Sequence, residues 1–318
     1  MSSPEISVII PTYNEEESLP ELFERIFPVL DGLERPYEVI FVNDGSSDAT
    51  LPLLLRERKR RSGKVKVVDF NGNFGQHMAI VAGFGRARGK MVVTLDADLQ
   101  NPPEEIPRMV QYVDEGHDVV GTVRKERRDT FFRKTASRLV NRLTNRITGL
   151  SLHDYGCMLR AYRRDVVDII NESAETTTFI PALAQKFATN PVEIDVAHSP
   201  REKGQSKYGL FRLIRLNFDL MTGFSMAPLQ AVTMSGILIS VLSFLFAAFM
   251  FVRRLVVGPE AEGVFTLLAI LFLLMGVTIS CIGIQGEYVG RIYQEVRKRP
   301  RYVVRKVYDA EEEQSPQI

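Results

Sequence analysis

Two long uncharged runs near the C-terminus limit what this chain can fold into more than any other feature. From Pro228 to Val252, and again from Gly263 to Gln285, no Asp, Glu, Lys or Arg interrupts the sequence. A helix of about 20 residues crosses the roughly 30 Å hydrocarbon core of a bilayer, and each run suffices. Lipid offers the backbone no outside partner, so such runs must be helical. The alternative, two buried helices of a soluble domain, needs uncharged runs of a length that soluble folds seldom contain. Two crossings return the chain to the side it left. The heavier Lys and Arg load before Met226 and after Glu287 places that side in the cytosol, with Arg253 and Arg254 pulling weakly the other way. Small residues of the membrane module, such as Gly276, Ser280, Gly283 and Gly286, would let helices approach closely and support a homo-oligomer; facing lipid is the alternative.

The remainder of the 318 residues is long enough for one full-sized domain. The expected organisation is a cytosolic domain over 1–208, an interfacial amphipathic helix over 209–226, two transmembrane helices within 227–286 (about 228–252 and 263–285) and a cytosolic tail over 287–318. The interfacial assignment rests on Leu210 to Phe224, where apolar residues mix with Arg212 and Arg215. A net charge of +1 conceals basic crowding from Arg124 to Arg146 and from Arg291 to Lys306, neither run suggesting a nucleic-acid tail. Cys157 and Cys281 are too far apart to read as a disulfide framework, and the four histidines show no metal-ligand spacing. The apolar run Ile6 to Pro11 is too brief for an export signal.

Ahead of the membrane segment, strand-length apolar runs alternate with helical patterns, which predicts an α/β fold with a mostly parallel sheet. The strands are expected at Ile6 to Pro11, Val39 to Val42, Val65 to Val68, Met91 to Leu95 and Val119 to Gly121. Helices are expected at Leu19 to Leu30, Ala49 to Arg61, Met78 to Arg88 and Glu104 to Asp114, the last opened by Pro102 and Pro103. Ligands of such sheets sit outside the carboxyl ends of the strands. Those ends read Thr12-Tyr-Asn-Glu15, Asn43-Asp-Gly-Ser-Ser-Asp48, Asn71-Gly-Asn-Phe-Gly-Gln76 and Asp96-Ala-Asp-Leu-Gln100. Singly, each could be a cap or a turn. Four in succession on one edge are harder to read as punctuation. The last carries two carboxylates one residue apart after an apolar strand, hard oxygen ligands for Mg²⁺ or Mn²⁺, with Gln100 as a neutral addition. Such an ion also binds a diphosphate and neutralises its charge as it leaves.

Ile9-Ile-Pro-Thr-Tyr-Asn-Glu15, Val42-Asn-Asp-Gly-Ser-Ser-Asp48 and Asp96-Ala-Asp-Leu-Gln-Asn-Pro-Pro103 together resemble the successive signatures of family 2 glycosyltransferases with the GT-A (Rossmann-like) fold, in the branch that includes dolichol-phosphate mannose synthases. With its two C-terminal spans the whole length resembles polyisoprenyl-phosphate glycosyltransferases of the bactoprenol glucosyltransferase type. The resemblance implies a metal-dependent enzyme using Mg²⁺ or Mn²⁺, a UDP-sugar donor and a polyprenyl (undecaprenyl) phosphate acceptor in the inner (cytoplasmic) membrane, multi-pass, with the catalytic domain and both termini cytosolic. Glucose from UDP-glucose is the expected sugar, with mannose, galactose or an aminoarabinose derivative as alternatives. By resemblance, Pro11, Tyr13, Glu15 and Asp44 line the uridine pocket, Asp96 contacts the ribose or metal, and Asp98 and Gln100 hold the metal. Asp154 stands where the family places a second acidic motif, though Gly156-Cys157 departs from the Ser-Gly of many mannose synthases and puts the sugar in question.

A lipid phosphate needs a cationic cradle at the bilayer surface. Arg124, Arg127, Arg128, Arg133 and Lys134 follow the fifth strand, and Arg201 and Lys207 precede the membrane module. Among these, Arg124, Arg133, Arg201 and Lys207, with Ser137, align with the family's phosphate-binding positions; Arg127 and Arg128 also read as a solvated positive-inside face. The implied reaction inverts the anomeric carbon through an oxocarbenium-like transition state. A phosphate monoester with a second pKa of about 6 is already largely ionised at neutral pH, so Asp154 is expected to orient sugar or acceptor more than to act as a base. Two other readings compete. A processive polysaccharide synthase would carry a Gln-x-x-Arg-Trp motif, and this chain has no Trp. A noncatalytic lipid-carrier transporter would leave the four strand ends unexplained.

Overall fold

The computed structural model describes residues 3–124, 157–173, 179–196, 227–257, 264–296 and 300–309. The described residues fall into two units, one holding the sheet, its helices and residues 300–309, the other holding the two apolar helices. The first unit is built on an eight-stranded mixed sheet in the order β7-β5-β6-β4-β1-β2-β3-β8. Its strands are β1 (Ile6–Thr12), β2 (Tyr37–Asn43), β3 (Val65–Phe70), β4 (Met91–Thr94), β5 (Val119–Arg124), β6 (Arg160–Arg163), β7 (Pro191–Val196) and β8 (Val304–Tyr308). Every residue of β1, β2 and β3 is buried, as expected of strands covered on both faces, where apolar residues run on rather than alternate. β4, β1, β2 and β3 are mutually parallel. β6 runs antiparallel to both β4 and β5, so β5 points the same way as β4.

Alternation along β1 assigns the two faces. Ile6, Val8 and Ile10 join the main core with Leu19, Leu22, Ile26 and Leu30 of α1 (Leu19–Asp31) and with Ile106, Met109, Val110 and Val113 of α4 (Ile106–Asp114). Those helical positions recur at three and four residues, the amphipathic spacing that turns one stripe toward a sheet. On the opposite face Ile9 meets α3 (Gln76–Phe84). A Cβ on Gly83 would lie 2.4 Å from Ile9 Cγ2, so glycine there sets how closely α3 approaches the sheet. Among the described residues this unit also holds the α-helices α2 (Thr50–Arg60), α5 (Arg164–Glu172) and α6 (Ile180–Phe187). α3 stops at Phe84, short of the expected Arg88, because Gly85 and then Gly89 turn the chain into β4.

α7 (Ala227–Val257) and α8 (Val264–Val296) form the second unit. Both are long and apolar enough to cross a membrane, with mean hydropathy 1.9 over Leu229–Phe246 and 1.7 over Ile270–Gly290, and neither stretch is buried in the protein. They outrun the uncharged sequence at both C-terminal ends, taking in Arg253 and Arg254 in α7 and residues 287–296 in α8. The segment expected as a tail after 286 therefore begins as helix and then returns to the sheet as β8, antiparallel to β3. β8 covers backbone groups that β3 would otherwise present as an open edge. A buried ion network fixes its end: Lys66 Nζ lies 3.0 Å from Glu38 Oε2 and 3.1 Å from Asp309 Oδ2, while Ser7 Oγ donates to Glu38 Oε1 at 2.6 Å. Charges withdrawn from water hold together only when each is paired, so Asp309 is part of what makes Glu38 and Lys66 tolerable inside.

Candidate active site

Parallel pairing brings the carboxyl ends of β4, β1, β2 and β3 to one edge, with Thr12 opposite Asn43 and Asn43 opposite Asp69. The first two strand-end loops interlock. Asp44 N–H donates to Thr12 O at 2.9 Å, Asn14 N–H to Ser46 Oγ at 3.0 Å, Ser47 N–H to Asn14 Oδ1 at 2.9 Å and Glu15 N–H to Thr50 Oγ1 at 2.8 Å. Asn14 sits at φ 54°, a region asparagine tolerates better than most residues. Asp48 accepts from Glu16 N–H at 3.2 Å and Thr50 N–H at 3.0 Å. Burial pushes the Asp48 carboxyl up, but bonds from Thr50 and Glu16 outweigh it and leave the pKa below the usual value.

Asp44, only 3% exposed, is the most enclosed acid of these loops. Its Oδ1 accepts from Phe74 N–H at 2.6 Å and its Oδ2 from Gly75 N–H at 2.8 Å. Desolvation dominates, so its pKa is raised above the ordinary carboxylate value despite these two bonds. Each carboxylate oxygen has a second lone pair and can accept once more. Two glycines let the third loop reach this position. Gly75 has φ 94°, and a Cβ on Gly45, itself at φ 69°, would come within 2.5 Å of the Gly72 carbonyl carbon.

The fourth loop meets the third through Gln76, whose amide donates to Asp96 Oδ1 at 2.5 Å. Asp98 Oδ1 accepts from Gln100 N–H at 3.2 Å in an Asx turn, and between them Leu99 is held at φ 59°. A leucine in that region is strained, and strain of this kind gathers where a loop must aim particular side chains. Asn101, 4% exposed, anchors the turn from behind against Cys157 Sγ at 3.4 Å, which also lies 2.9 Å from Thr122 Oγ1. Cys157 is thus core packing. β6 begins three residues later, and Thr94 Oγ1 donates to Met158 O at 2.6 Å.

Of the residues singled out in the sequence, Pro11, Tyr13, Glu15, Asp44, Asp96, Asp98 and Gln100 all lie on this edge. Pro11 is buried, whereas Tyr13 is 48% exposed and presents an aromatic ring to solvent beside the loops. Glu15 Oε2 accepts from Ser18 Oγ at 2.6 Å. Arg124 closes β5 on the same edge, opposite Val196 of β7. Asp154, Arg133, Ser137, Arg201 and Lys207 lie outside the described residues, as do Arg127, Arg128, Lys134 and the expected interfacial helix. The contact of Gln76 with Asp96 and the donor roles of Phe74 and Gly75 escape sequence reasoning: backbone donors carry no side-chain signature, and Gln76 is legible only as one polar residue in a turn.

Among the described residues no group of three His, Cys, Asp or Glu gathers as a metal cluster. Two carboxylates and an amide, Asp96, Asp98 and Gln100, remain a hard oxygen set. Such a set is too small to enclose an ion yet fits Mg²⁺ or Mn²⁺, which keeps water and takes substrate phosphate oxygens.

Known proteins resemble this chain along most of its length. A profile for Glycosyl transferase family 2 matches residues 7–170. An undecaprenyl-phosphate 4-deoxy-4-formamido-L-arabinose transferase of Edwardsiella ictaluri (strain 93-146) is 50% identical over 307 residues, covering 96% of this chain and 94% of the relative. The protein of the same name from Proteus mirabilis (strain HI4320) is 51% identical over 304 residues, covering 95% and 93%. Among solved structures, glucosyl-3-phosphoglycerate synthase from Mycobacterium tuberculosis in complex with Mg²⁺ and uridine-diphosphate is 18% identical, with 69% of this chain and 78% of that chain covered and a TM-score of 0.49. With an α/β sheet of GT-A type, the signature loops on one edge and full-length relatives that are named transferases, the chain is a sugar-transferring enzyme that belongs to glycosyl transferase family 2.

Proposed function

We propose that the enzyme transfers 4-deoxy-4-formamido-L-arabinose from a uridine diphosphate donor to undecaprenyl phosphate at the cytosolic membrane face. The observation that carries this reading is the 50% identity over 96% of this chain and 94% of a relative that bears this activity in its name. It replaces glucose, the sugar first expected from the resemblance, with the aminoarabinose alternative.

The residues divide the work by position. Tyr13 offers an exposed ring for the base to lie against, Asp44 accepts from the base N–H, and Glu15 lies toward the ribose. Asp96, Asp98 and Gln100 are the residues to hold Mg²⁺ or Mn²⁺, which when bound neutralises charge on the departing diphosphate. On the acceptor side Arg124, Arg133, Ser137, Arg201 and Lys207 form the cradle for the lipid phosphate. An acceptor phosphate oxygen forms its bond to the anomeric carbon as the bond from that carbon to the donor diphosphate breaks. The electron pair leaves with the nucleoside diphosphate, and attack from the opposite face inverts the centre. With a second pKa of about 6 the acceptor is already ionised, so Asp154 positions the sugar or acceptor rather than removing a proton.

Chain connectivity supports a membrane hairpin. β8 pairs with β3, so the residues before α7 and after α8 belong to one side, and an even number of crossings satisfies this. The heavier basic load on the sheet-bearing segments makes that side cytosolic.

Three outcomes follow. Full-length enzyme in detergent with undecaprenyl phosphate and Mg²⁺ should form one lipid-linked sugar from UDP-4-deoxy-4-formamido-L-arabinose, seen by mass spectrometry of the lipid, and at least about tenfold less from UDP-glucose; the reverse preference would refute the sugar assignment. Uridine carries no phosphate, so its affinity isolates the base pocket. Because the Asp44 pKa is raised, the accepting carboxylate is lost on acidification from a higher pH than for an exposed aspartate. Uridine binding should therefore strengthen with rising pH to a plateau, and in Asp44→Asn should be weak and flat across the acid range; an unchanged profile in that variant would remove Asp44 from the pocket. For topology, a cysteine introduced as Glu262→Cys should react with a membrane-impermeant maleimide in intact cells, while Lys306→Cys should react only after lysis. Labelling of both from outside would break the hairpin assignment.

A further inference from the structure

The segment that follows the second apolar helix does more than close the sheet. Tyr302 stacks on Phe70 with ring centroids 5.0 Å apart and planes 13° from parallel, and Phe70 in turn meets the edge of Phe74 at 5.6 Å. Phe74 is the residue whose N–H donates to Asp44 Oδ1, with Gly75 N–H on Oδ2. Asn71, at the start of the same loop, donates its N–H to Val303 O at 3.1 Å. Arg305 adds a third hold, with Nη1 3.5 Å from Asp69 Oδ2 and Nη2 3.5 Å from Asn71 O. Asp69 is 1% exposed, and its other oxygen accepts from Asn43 Nδ2 at 2.7 Å, one residue before Asp44. The β3–β8 ladder shifts register between Asp69 and Phe70, where these contacts gather. Tyr302, Val303 and Arg305 thus hold the end of β3 and the start of the loop after it, over residues 69–71, and Phe74 and Gly75 of that loop hold Asp44.

We propose that Tyr302 and Arg305 are positioning residues for the nucleotide pocket, acting through Phe70, Phe74 and Asn71 to hold the loop that orders Asp44. The donor half of the site then depends on a segment more than 200 residues away in sequence, reached only after the chain has passed through α8. The inference rests on the reading of Asp44 as a base-recognising group, and it adds that the strand-end loops of the N-terminal half do not form the pocket alone.

The test uses the full-length enzyme in detergent, with uridine diphosphate and Mg²⁺ as the binding probe and steady-state kinetics with both substrates. Tyr302→Ala should weaken uridine diphosphate binding and raise the donor KM by roughly five- to tenfold, the range of a lost aromatic contact. It should leave kcat and the acceptor KM within about twofold, and Tyr302→Phe should restore the wild-type values because stacking needs the ring and not the hydroxyl. Arg305, exposed on an edge strand, provides a second variant that spares the stacked rings: Arg305→Ala should shift donor KM in the same direction and more weakly. Loss of kcat with donor KM unchanged, or wild-type donor binding in a folded Tyr302→Ala protein, would overturn the proposal. Asp44→Ala separates the two layers. Unchanged uridine diphosphate binding in that variant defeats the reading of Asp44 itself, whereas weakened binding there alongside wild-type binding in Tyr302→Ala defeats only the coupling.

Discussion

Parallel registration of β4, β1, β2 and β3 is the constraint on which the site depends. Each strand is buried on both faces, so no residue along it is accessible for chemistry, and function is driven to the ends. Because the four strands point one way, their carboxyl ends fall on a single edge, and loops that are far apart in sequence become neighbours. The bond from Asp44 N–H to Thr12 O is the closest expression of this, continuing the β1–β2 ladder one step beyond the strands. From there the loops hold one another: the first on the second through Asn14 and Glu15, the third on the second through Asp44, the fourth on the third through Gln76.

That mutual support explains how an acid can be kept almost wholly buried at Asp44. Desolvation of a carboxylate is opposed only by hydrogen bonds to the charged form, and two backbone donors supply them. They still leave the pKa raised, so the pocket holds a carboxylate with a strong demand for another donor. A base N–H would meet that demand. The acidic pair of the fourth loop is more open, and its turn holds Leu99 at φ 59° with Asn101 packed against Cys157. The two acidic positions thus differ in setting, and the proposed function uses that difference, giving Asp44 a neutral hydrogen-bond donor and the open pair a cation.

Much of this was legible in the sequence because it is local. Apolar runs of strand length mark the buried strands, and short polar residues directly after them mark the edge, so the α/β class and the positions of Asp44, Asp96 and Asp98 follow from pattern alone. What escaped depends on contacts across long sequence separations. Residues 304–308 look like a basic tail in the sequence, and only pairing with β3 turns them into an edge strand. Gly156-Cys157 drew attention as a departure near the sugar, yet Cys157 packs in the core against Thr122 and Asn101. Sugar identity was out of reach for a related reason: under the proposed function the signature loops serve the nucleotide and its diphosphate, which donors with different sugars share.

The central claim is that the edge formed by these loops is the donor site, with a protein ligand set for the ion that is complete only when a diphosphate is present. Binding of Mn²⁺, followed by loss of the free-ion signal in electron paramagnetic resonance, tests it directly. Wild-type enzyme should bind Mn²⁺ weakly alone and at least about tenfold more tightly with uridine diphosphate, and Asp98→Asn should abolish the enhancement. Tight binding without nucleotide, or an enhancement that survives in Asp98→Asn, would contradict the account.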